Sequence, residues 1–161
     1  KLGADPSRYR PSMEAMMRRI RNQNYLLPLN SAVDLNNFFS LQYEIPVGLY
    51  DLSHVEGAIQ IVLGSAESVY TGINGRENTL SGILTIEDAL GPFGSPYVDS
   101  IRTIVNETTI EGLQVFFLLP STPLEDGKKL IESAGKMFAQ VNEGNYSTVM
   151  LDKHYPEAFI D

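Results

Sequence analysis

The stretch AVDLNNFFSLQYEIPVGLYDLSHVEG, residues 32–57, has the pattern of an amphipathic helix, a turn, a short buried strand and a second turn. Apolar residues at helical spacing predict the helix over residues 32–43, with Asn30 or Ser31 as its N-cap. Pro46 excludes a longer helix, because proline lacks the amide hydrogen and clashes with the preceding turn. We therefore expect the helix to end before this proline, and the short buried strand to follow the turn.

Two amides of the predicted helix, those of Asn36 and Asn37, lie beside its apolar stripe. Buried polar groups in proteins almost always have hydrogen-bond partners. These amides are therefore expected either to satisfy neighbouring backbone groups or to form one wall of a ligand pocket, and the pattern alone leaves both possibilities open.

The composition is that of one soluble globular domain, which we predict over residues 1–161, with 43% hydrophobic and 20% charged residues. The absence of cysteine excludes disulfides and favours a reducing, cytoplasmic setting. No apolar run approaches the roughly 18 residues of a membrane span, and no signal peptide is evident. The chain begins with Lys1 instead of methionine, which is consistent with further residues upstream.

The formal net charge is −8, but the first 22 residues carry a local charge of +4 and the remainder −12. A negative net charge disfavours binding to DNA and nonspecific binding to nucleic acid, because such binding depends on neutralising phosphates. An N-terminal helical part is predicted over about residues 8–24. Its residues Arg18, Arg19 and Arg21 form either a solvated helix face or a patch that touches a few RNA phosphates.

The middle of the chain has β character, so helices at both ends predict an α+β fold. Residues 58–63 and 68–73 are predicted to pair in a hairpin, and residues 80–86 to form a further strand. A rigid Gly/Pro loop is predicted over 91–96. LQVFFLL, residues 113–119, has the pattern of a buried central strand.

A final helix is predicted to begin at the sequence Thr122-Pro123-Leu124-Glu125, which matches a capping box with proline at the first helical position. Gly144 is expected to end this helix. Residues 146–151 are predicted to add an edge strand.

Few residues suit catalysis. The two histidines, His54 and His154, stand a hundred residues apart, and no zinc or calcium motif is present, so we predict no metal and no cofactor and assign no catalytic residue. Residues 99–105 are expected to be short and extended, and they begin with the polar segment DSIRT, residues 99–103. Its Asp99 and Arg102 form either an ion pair that holds this segment or a substrate clamp facing residues 32–57.

Taken in order, several segments resemble the B3/4 editing domain of the phenylalanyl-tRNA synthetase beta subunit, and most of all its stand-alone members. They are RYRPSMEAMMRRI (8–20), VDLNNFFSLQYEIPVGLYDLSHVEG (33–57), IQIVLGSAESVYTGINGRENTLSG (59–82), IEDALGPFG (86–94) and DSIRTIVNETT (99–109). The resemblance implies barrel-like central strands flanked by helices, and recognition or hydrolysis of misacylated tRNA in trans. Nothing of the aminoacylation domain is present, so this chain alone is not expected to charge tRNA.

The resemblance also implies site residues. The Thr-Asn pair of the family falls on Asn36 and Asn37, the proline before the strand on Pro46, and the pocket histidine on Gly48, where the missing side chain is expected to open space. The candidate substrate-binding residues are Asn36, Asn37, Pro46, Gly48, Asp99, Ser100, Arg102 and Thr103.

Three hypotheses follow from the resemblance. In a hydrolase, Asn36, Asn37, Ser100 and Thr103 orient the aminoacyl group and a water, while Asp99 and Arg102 bind the ammonium group and the terminal nucleotide respectively. A noncatalytic module binds tRNA or a related RNA through the basic helix and the same pocket. A small-molecule binder holds a free amino acid or a modified nucleoside there. The sequence names no protein partner.

Overall fold

A computed structural model describes residues 10–159, and these residues confirm a mixed α+β fold. The chain divides into two compact units, Lys1–Phe117 and Leu118–Asp161. The single domain expected over residues 1–161 stays a prediction. The helices and strands of the first unit are α1 (Ser12–Arg21), α2 (Ser31–Tyr43), β1 (Val47–Asp51), β2 (Gln60–Leu63), β3 (Val69–Thr71), β4 (Glu77–Thr79), β5 (Leu84–Asp88), β6 (Gly91–Gly94) and β7 (Gly112–Phe116).

Helix α2 has the cap predicted from the sequence, because the backbone N–H of Val33 donates to Oδ1 of Asn30 at 2.9 Å. The helix ends at Glu44, which adopts the left-handed conformation with φ 56°. The Ser40 hydroxyl then donates to the carbonyl of Ile45 at 2.7 Å and fixes the turn into β1. Residues 32–57 therefore form the predicted helix, turn and strand.

The strands of the first unit pair antiparallel in three sheets, ordered β1-β7, β2-β5-β6 and β3-β4. The predicted hairpin between residues 58–63 and 68–73 is wrong, because β2 pairs with β5 and β3 pairs with β4. The turn at Asn74-Gly75, where Gly75 has φ 72°, connects β3 to β4. Positive φ at glycine permits this tight reversal.

Four other strand predictions need correction. The predicted loop over 91–96 contains β6, and Gly91 turns the chain back onto β5 with φ 107°. The strand predicted over 80–86 begins only at Leu84. The segment after Asp99 forms a 3₁₀ turn, Ile101–Thr103, instead of an extended run. Strand β7 is half-buried and pairs with β1 in a sheet of only these two strands. It is therefore not a central strand.

Two apolar clusters form the core of the first unit. Tyr50, Ile86 and Phe93 are buried together, with the Tyr50 ring edge-on to Phe93 at a centroid distance of 5.1 Å. Tyr70, Leu80 and Ile83 form the second cluster. The first cluster joins β1 to β5 and β6, because it takes one residue from each of these strands.

The second unit contains α3 (Leu124–Val141), which follows Pro123 without a side-chain cap, so the predicted capping box does not form. The predicted edge strand over 146–151 is also absent from the described residues. Instead, the hydroxyls of Tyr146 and Thr148 donate to Glu132 at 2.7 and 3.1 Å. Side-chain bonds therefore hold this segment against α3 without a sheet ladder. No helix among residues 10–159 is long and apolar enough to cross a bilayer.

Candidate functional site

Two of the predicted site residues, Asn36 and Asp99, bond to backbone groups of strand β1. The N–H of Phe117 donates to the carbonyl of Pro46 at 3.1 Å, which turns the backbone of Pro46 toward β7. Backbone groups alternate in direction along an antiparallel strand. Those of Val47 and Leu49 therefore point to the opposite edge of β1, away from β7. We call this the free edge of β1.

Asn36 is buried and contacts the free edge. Its Nδ2 donates to the carbonyl of Val47 at 3.0 Å, and its Oδ1 accepts from Nε2 of Gln114 at 3.0 Å. The amide therefore bonds to the β1-β7 sheet and not to its own helix. Asn37, one position further along α2, is only half-buried.

We expect Asn36→Ala to lower the free energy of unfolding by about 1–3 kcal/mol, because it leaves the buried carbonyl of Val47 without its donor. Asn37→Ala is the matched control and should change stability by less than about 0.5 kcal/mol. Urea unfolding of both variants measures the difference. Equal costs would show that the bonds of Asn36 to β1 and β7 do not carry the effect.

The space beside Gly48 is filled by the ring of Tyr50. A β-carbon placed on Gly48 would lie 2.5 Å from Cζ of Tyr50, and one placed on Gly94 would lie equally close to the same atom. The ring is thus held between two glycine backbones and is fully buried. The expectation that Gly48 opens a space is wrong. Alternation along a strand places residues 48 and 50 on one face, so the sequence did contain a signal for this packing.

The Tyr50 hydroxyl donates to Oδ1 of Asp99 at 2.7 Å. Burial of the Asp99 carboxyl raises its pKa from 3.8 to about 7, although the Tyr50 hydroxyl and the backbone N–H groups of Ser95 and Leu49 act in the opposite direction. Burial likewise raises the pKa of Tyr50, and the neighbouring Asp99 raises it further. The N–H of Leu49 lies on the free edge of β1, as does the carbonyl of Val47. Asp99 and Asn36 therefore form hydrogen bonds to the same short segment of this strand.

The raised pKa of Asp99 predicts a specific dependence of stability on pH. The folded protein binds a proton at Asp99 more tightly than the unfolded chain does. The contribution of Asp99 to the free energy of unfolding is therefore fully present below about pH 4, and it is lost as the pH rises toward 7. The slope is at most about 1.4 kcal/mol per pH unit. Asp99→Asn should remove this slope and be more stable than the wild type at pH 8. Thermal unfolding across this range is the test, and an unchanged slope in the variant would contradict the assignment.

Arg102 pairs with Asp88 and not with Asp99, so the predicted ion pair is wrong. Its Nη1 and Nη2 donate to the two carboxylate oxygens of Asp88, each at 2.9 Å, and further bonds reach the carbonyls of His54 and Gly91. The guanidinium also lies 5.4 Å from the centroid of the Phe93 ring. Four N–H groups of Arg102 therefore donate hydrogen bonds to other residues of this protein.

The hydroxyls of Ser100 and Thr103, on either side of Arg102, differ in their hydrogen bonding. Ser100 Oγ accepts from the N–H of Arg102 at 3.1 Å and caps the 3₁₀ turn. Thr103 is 1% exposed, and its Oγ1 has no hydrogen-bond partner among the described residues. The substrate roles expected for Ser100, Arg102 and Thr103 stay predictions.

Arg18, Arg19 and Arg21 are exposed in the last turn of α1, where positive charge is favourable beside the helix C-terminus. Within residues 10–159 no carboxylate lies within ion-pair distance of these three guanidinium groups. Their charges are therefore available to an anionic ligand, and their RNA-binding role stays a prediction.

Asp51, Ser53 and His54 are residue types of a hydrolytic triad, but their geometry is that of a turn. Ser53 Oγ donates to Asp51 Oδ1 at 2.6 Å, and the N–H of Ser53 donates to the same oxygen at 2.9 Å. A triad instead requires histidine between the hydroxyl and the carboxylate. Asp51 therefore caps the 3₁₀ turn Leu52–His54, and no group of three or more potential metal ligands occurs in the described residues.

Comparison with known proteins defines the class of the chain. Residues 1–119 match the family model of the B3/4 domain, and the chain belongs to that family. It is 29% identical over 136 residues to the uncharacterized protein YhzB of Bacillus subtilis (strain 168), which covers 84% of this chain and 58% of that protein. It is 35% identical over 68 residues to the phenylalanine–tRNA ligase beta subunit of Paramagnetospirillum magneticum (strain ATCC 700264 / AMB-1), covering 42% of this chain and 8% of that subunit. The chain thus spans only part of the length of these relatives.

Proposed function

We propose that this B3/4 module recognises aminoacyl-tRNA and hydrolyses misacylated tRNA in trans. The observation that supports this most is the Asp99 carboxyl, which has a pKa of about 7 and lies beside the free edge of β1. Perturbed carboxyls of this kind are typical of catalytic and binding sites. The relation to a tRNA ligase subunit supports tRNA as the source of the substrate.

In the proposed reaction, a water oxygen attacks the acyl carbon of the ester and the bond to the tRNA ribose breaks. Ionised Asp99 takes a proton from the water and later returns it to the departing ribose oxygen, which keeps atoms and charges balanced. Donors near the developing oxyanion are needed. The Tyr50 hydroxyl and the N–H groups of Ser95 and Leu49 are the donors that bond to the carboxyl.

The remaining candidates have supporting roles in this proposal. Asn36 fixes α2 against the free edge of β1, and Asn37 lies beside it with its side chain partly exposed. Arg102 is bonded to Asp88 and positions the segment that follows Asp99. The hydroxyl of Thr103 has no hydrogen-bond partner among residues 10–159, so it can accept one from a ligand or water.

A noncatalytic RNA-binding module is the second candidate, and the buried Tyr50 ring favours it. That ring occupies the position beside Gly48 and is fully buried, so Asp99 reaches a ligand only after the ring moves. The exposed arginines of α1 would then bind phosphates without turnover.

A deacylation assay distinguishes the two candidates. Purified protein is incubated with a panel of mischarged tRNAs, and release of the amino acid is followed against a buffer blank. The first candidate predicts release from at least one tRNA, lowered about 10²–10⁴-fold in Asp99→Asn because a general base contributes that much. Glu77→Gln, at an exposed carboxylate of β4, is the control. If every tRNA in the panel keeps its amino acid, the proposed hydrolase activity is contradicted.

A binding titration tests the RNA contact shared by both candidates. Charge reversal of Arg18, Arg19 and Arg21 to glutamate should weaken tRNA binding and reduce the salt dependence of log K by about 0.7–0.9 for each phosphate that the protein no longer neutralises. The triple reversal of the exposed residues Lys128, Lys129 and Lys136 in α3 to glutamate is the control with the same charge change. Equally weakened binding in both variants would contradict a role for α1 in RNA binding.

A further inference from the structure

Strand β2 is the outer strand of the β2-β5-β6 sheet, and one of its edges has no strand partner in the described part of the chain. The N–H of Gly64 donates to the carbonyl of Ile83 at 2.8 Å, so the backbone of Gly64, and by alternation that of Val62, faces β5. The backbone groups of Ile61 and Leu63 therefore point outward. Unpaired N–H and C=O groups in a row are a template for another strand.

The side chains of the same two residues continue the apolar core to this edge. Ile61 is opposite Ile86 and Leu63 is opposite Leu84 in the register of β2 and β5, so each pair shares a face of the sheet. Ile86 is fully buried, whereas Ile61 is 45% and Leu63 55% exposed. The core face therefore ends in exposed aliphatic side chains at the β2 edge.

Strand β2 is short, with four residues, but its edge lacks charge, proline and a bulge, three features that prevent edge pairing. Residues 57–66, GAIQIVLGSA, contain no charged residue and no proline, although the chain is 20% charged with a net charge of −8. Natural edge strands are protected by lysine, proline or a bulge. The one irregularity in this sheet among the described residues lies at Ile86/Glu87, between β5 and β6, on the side away from this edge.

We propose that the β2 edge binds the β2 edge of a second copy of this chain. Antiparallel pairing centred on Ile61 brings the Ile61 side chains of the two copies together on the core face. It also brings Leu63 opposite the second copy's Ile59, which precedes β2 and is 36% exposed. Identical edges related by a two-fold axis form a closed dimer with one six-stranded sheet. The second copy fits because the neutral segment brings no like charges together in an otherwise acidic protein.

Sedimentation at increasing protein concentration tests this pairing. The wild type should change from monomer to a species of twice the mass, and Ile61→Lys should stay monomeric because it places charge in the centre of the edge. Val69→Lys makes the same change at an exposed aliphatic residue of β3 and should dimerise like the wild type. Circular dichroism establishes that each variant is folded. A wild type that is monomeric throughout, an Ile61→Lys variant that still dimerises, or growth into larger assemblies overturns the proposal.

Cross-linking tests the register independently. The chain has no cysteine, so Ile61→Cys provides a single thiol. The backbone groups of Ile61 point outward, so the two copies of Ile61 form a hydrogen-bonded pair in this register. Such pairs have Cα atoms about 5.5 Å apart, within the range of a disulfide. Mild oxidation should convert most of this variant to a covalent dimer, and Val69→Cys should stay mainly monomeric. Equal cross-linking of the two variants would contradict pairing centred on Ile61.

Discussion

Replacing Arg102 with alanine is expected to lower the free energy of unfolding by about 3–5 kcal/mol, because it leaves a buried carboxylate without its partner. The Asp88 side chain is fully buried, and two of its hydrogen bonds come from the Arg102 guanidinium. The same change removes the bonds to the carbonyls of His54 and Gly91. Urea unfolding measures the destabilisation. Arg76→Ala, at an exposed arginine, is the control and should stay within about 0.5 kcal/mol of the wild type.

The Arg102→Ala effect should depend on pH. Burial raises the pKa of Asp88, but bonds from Arg102 and from the N–H groups of Glu56 and Leu90 outweigh it, so the pKa in the folded protein lies below 3.8. A depressed pKa stabilises the fold above the unfolded value, and this contribution is lost as the pH falls through the folded value. The deficit of the variant should therefore be largest at neutral pH and shrink in acid. A deficit that is equal at both ends of the range would contradict the ion pair as its cause.

Replacing Tyr50 with alanine is expected to cost about 3–5 kcal/mol, since it removes a large buried ring from the core. Gly48→Ala should cost about 1–3 kcal/mol by overpacking against the same ring. Because both effects involve one contact, their costs should not add. In the Tyr50→Ala background, Gly48→Ala should cost almost nothing.

The control for this cycle is Gly112→Ala on β7. A β-carbon there has its nearest neighbour at 3.6 Å, an ordinary contact, so its cost should be the same in either background. Chemical denaturation of the single and double variants gives the coupling energy. Additive costs for Gly48→Ala and Tyr50→Ala would show that the ring does not lie against Gly48.

The parts of the fold that local sequence signals determine were predictable. The Asn30 cap and the limits of α2 depend on neighbouring residues, and the segment order showed the family. Strand pairing was not predictable in the same way, because the contact of β2 with β5 joins residues more than twenty positions apart. The pattern of one strand does not identify its partner.

In the candidate site, too, some contacts were predictable from the sequence and others were not. The sequence placed Asn36, Gly48 and Asp99 in one site, and the structure brings Asn36 and Asp99 to neighbouring backbone groups of β1. It could not show that Arg102 pairs with Asp88, because the geometry of the turn decides which carboxylate Arg102 reaches. The packing of the Tyr50 ring against Gly48 is predictable from strand alternation, because residues 48 and 50 lie on the same face of β1.

The pH dependence of amino acid release from the best mischarged tRNA tests the proposed hydrolase most directly. A base must be ionised to accept a proton, and the pKa of Asp99 is about 7. The catalysed rate, after subtraction of the buffer blank, should therefore rise with pH, bend near 7 and level off, and this bend should disappear in Asp99→Asn. A rate equal to the blank at every pH, or an unchanged bend in the variant, would contradict the proposed role of Asp99.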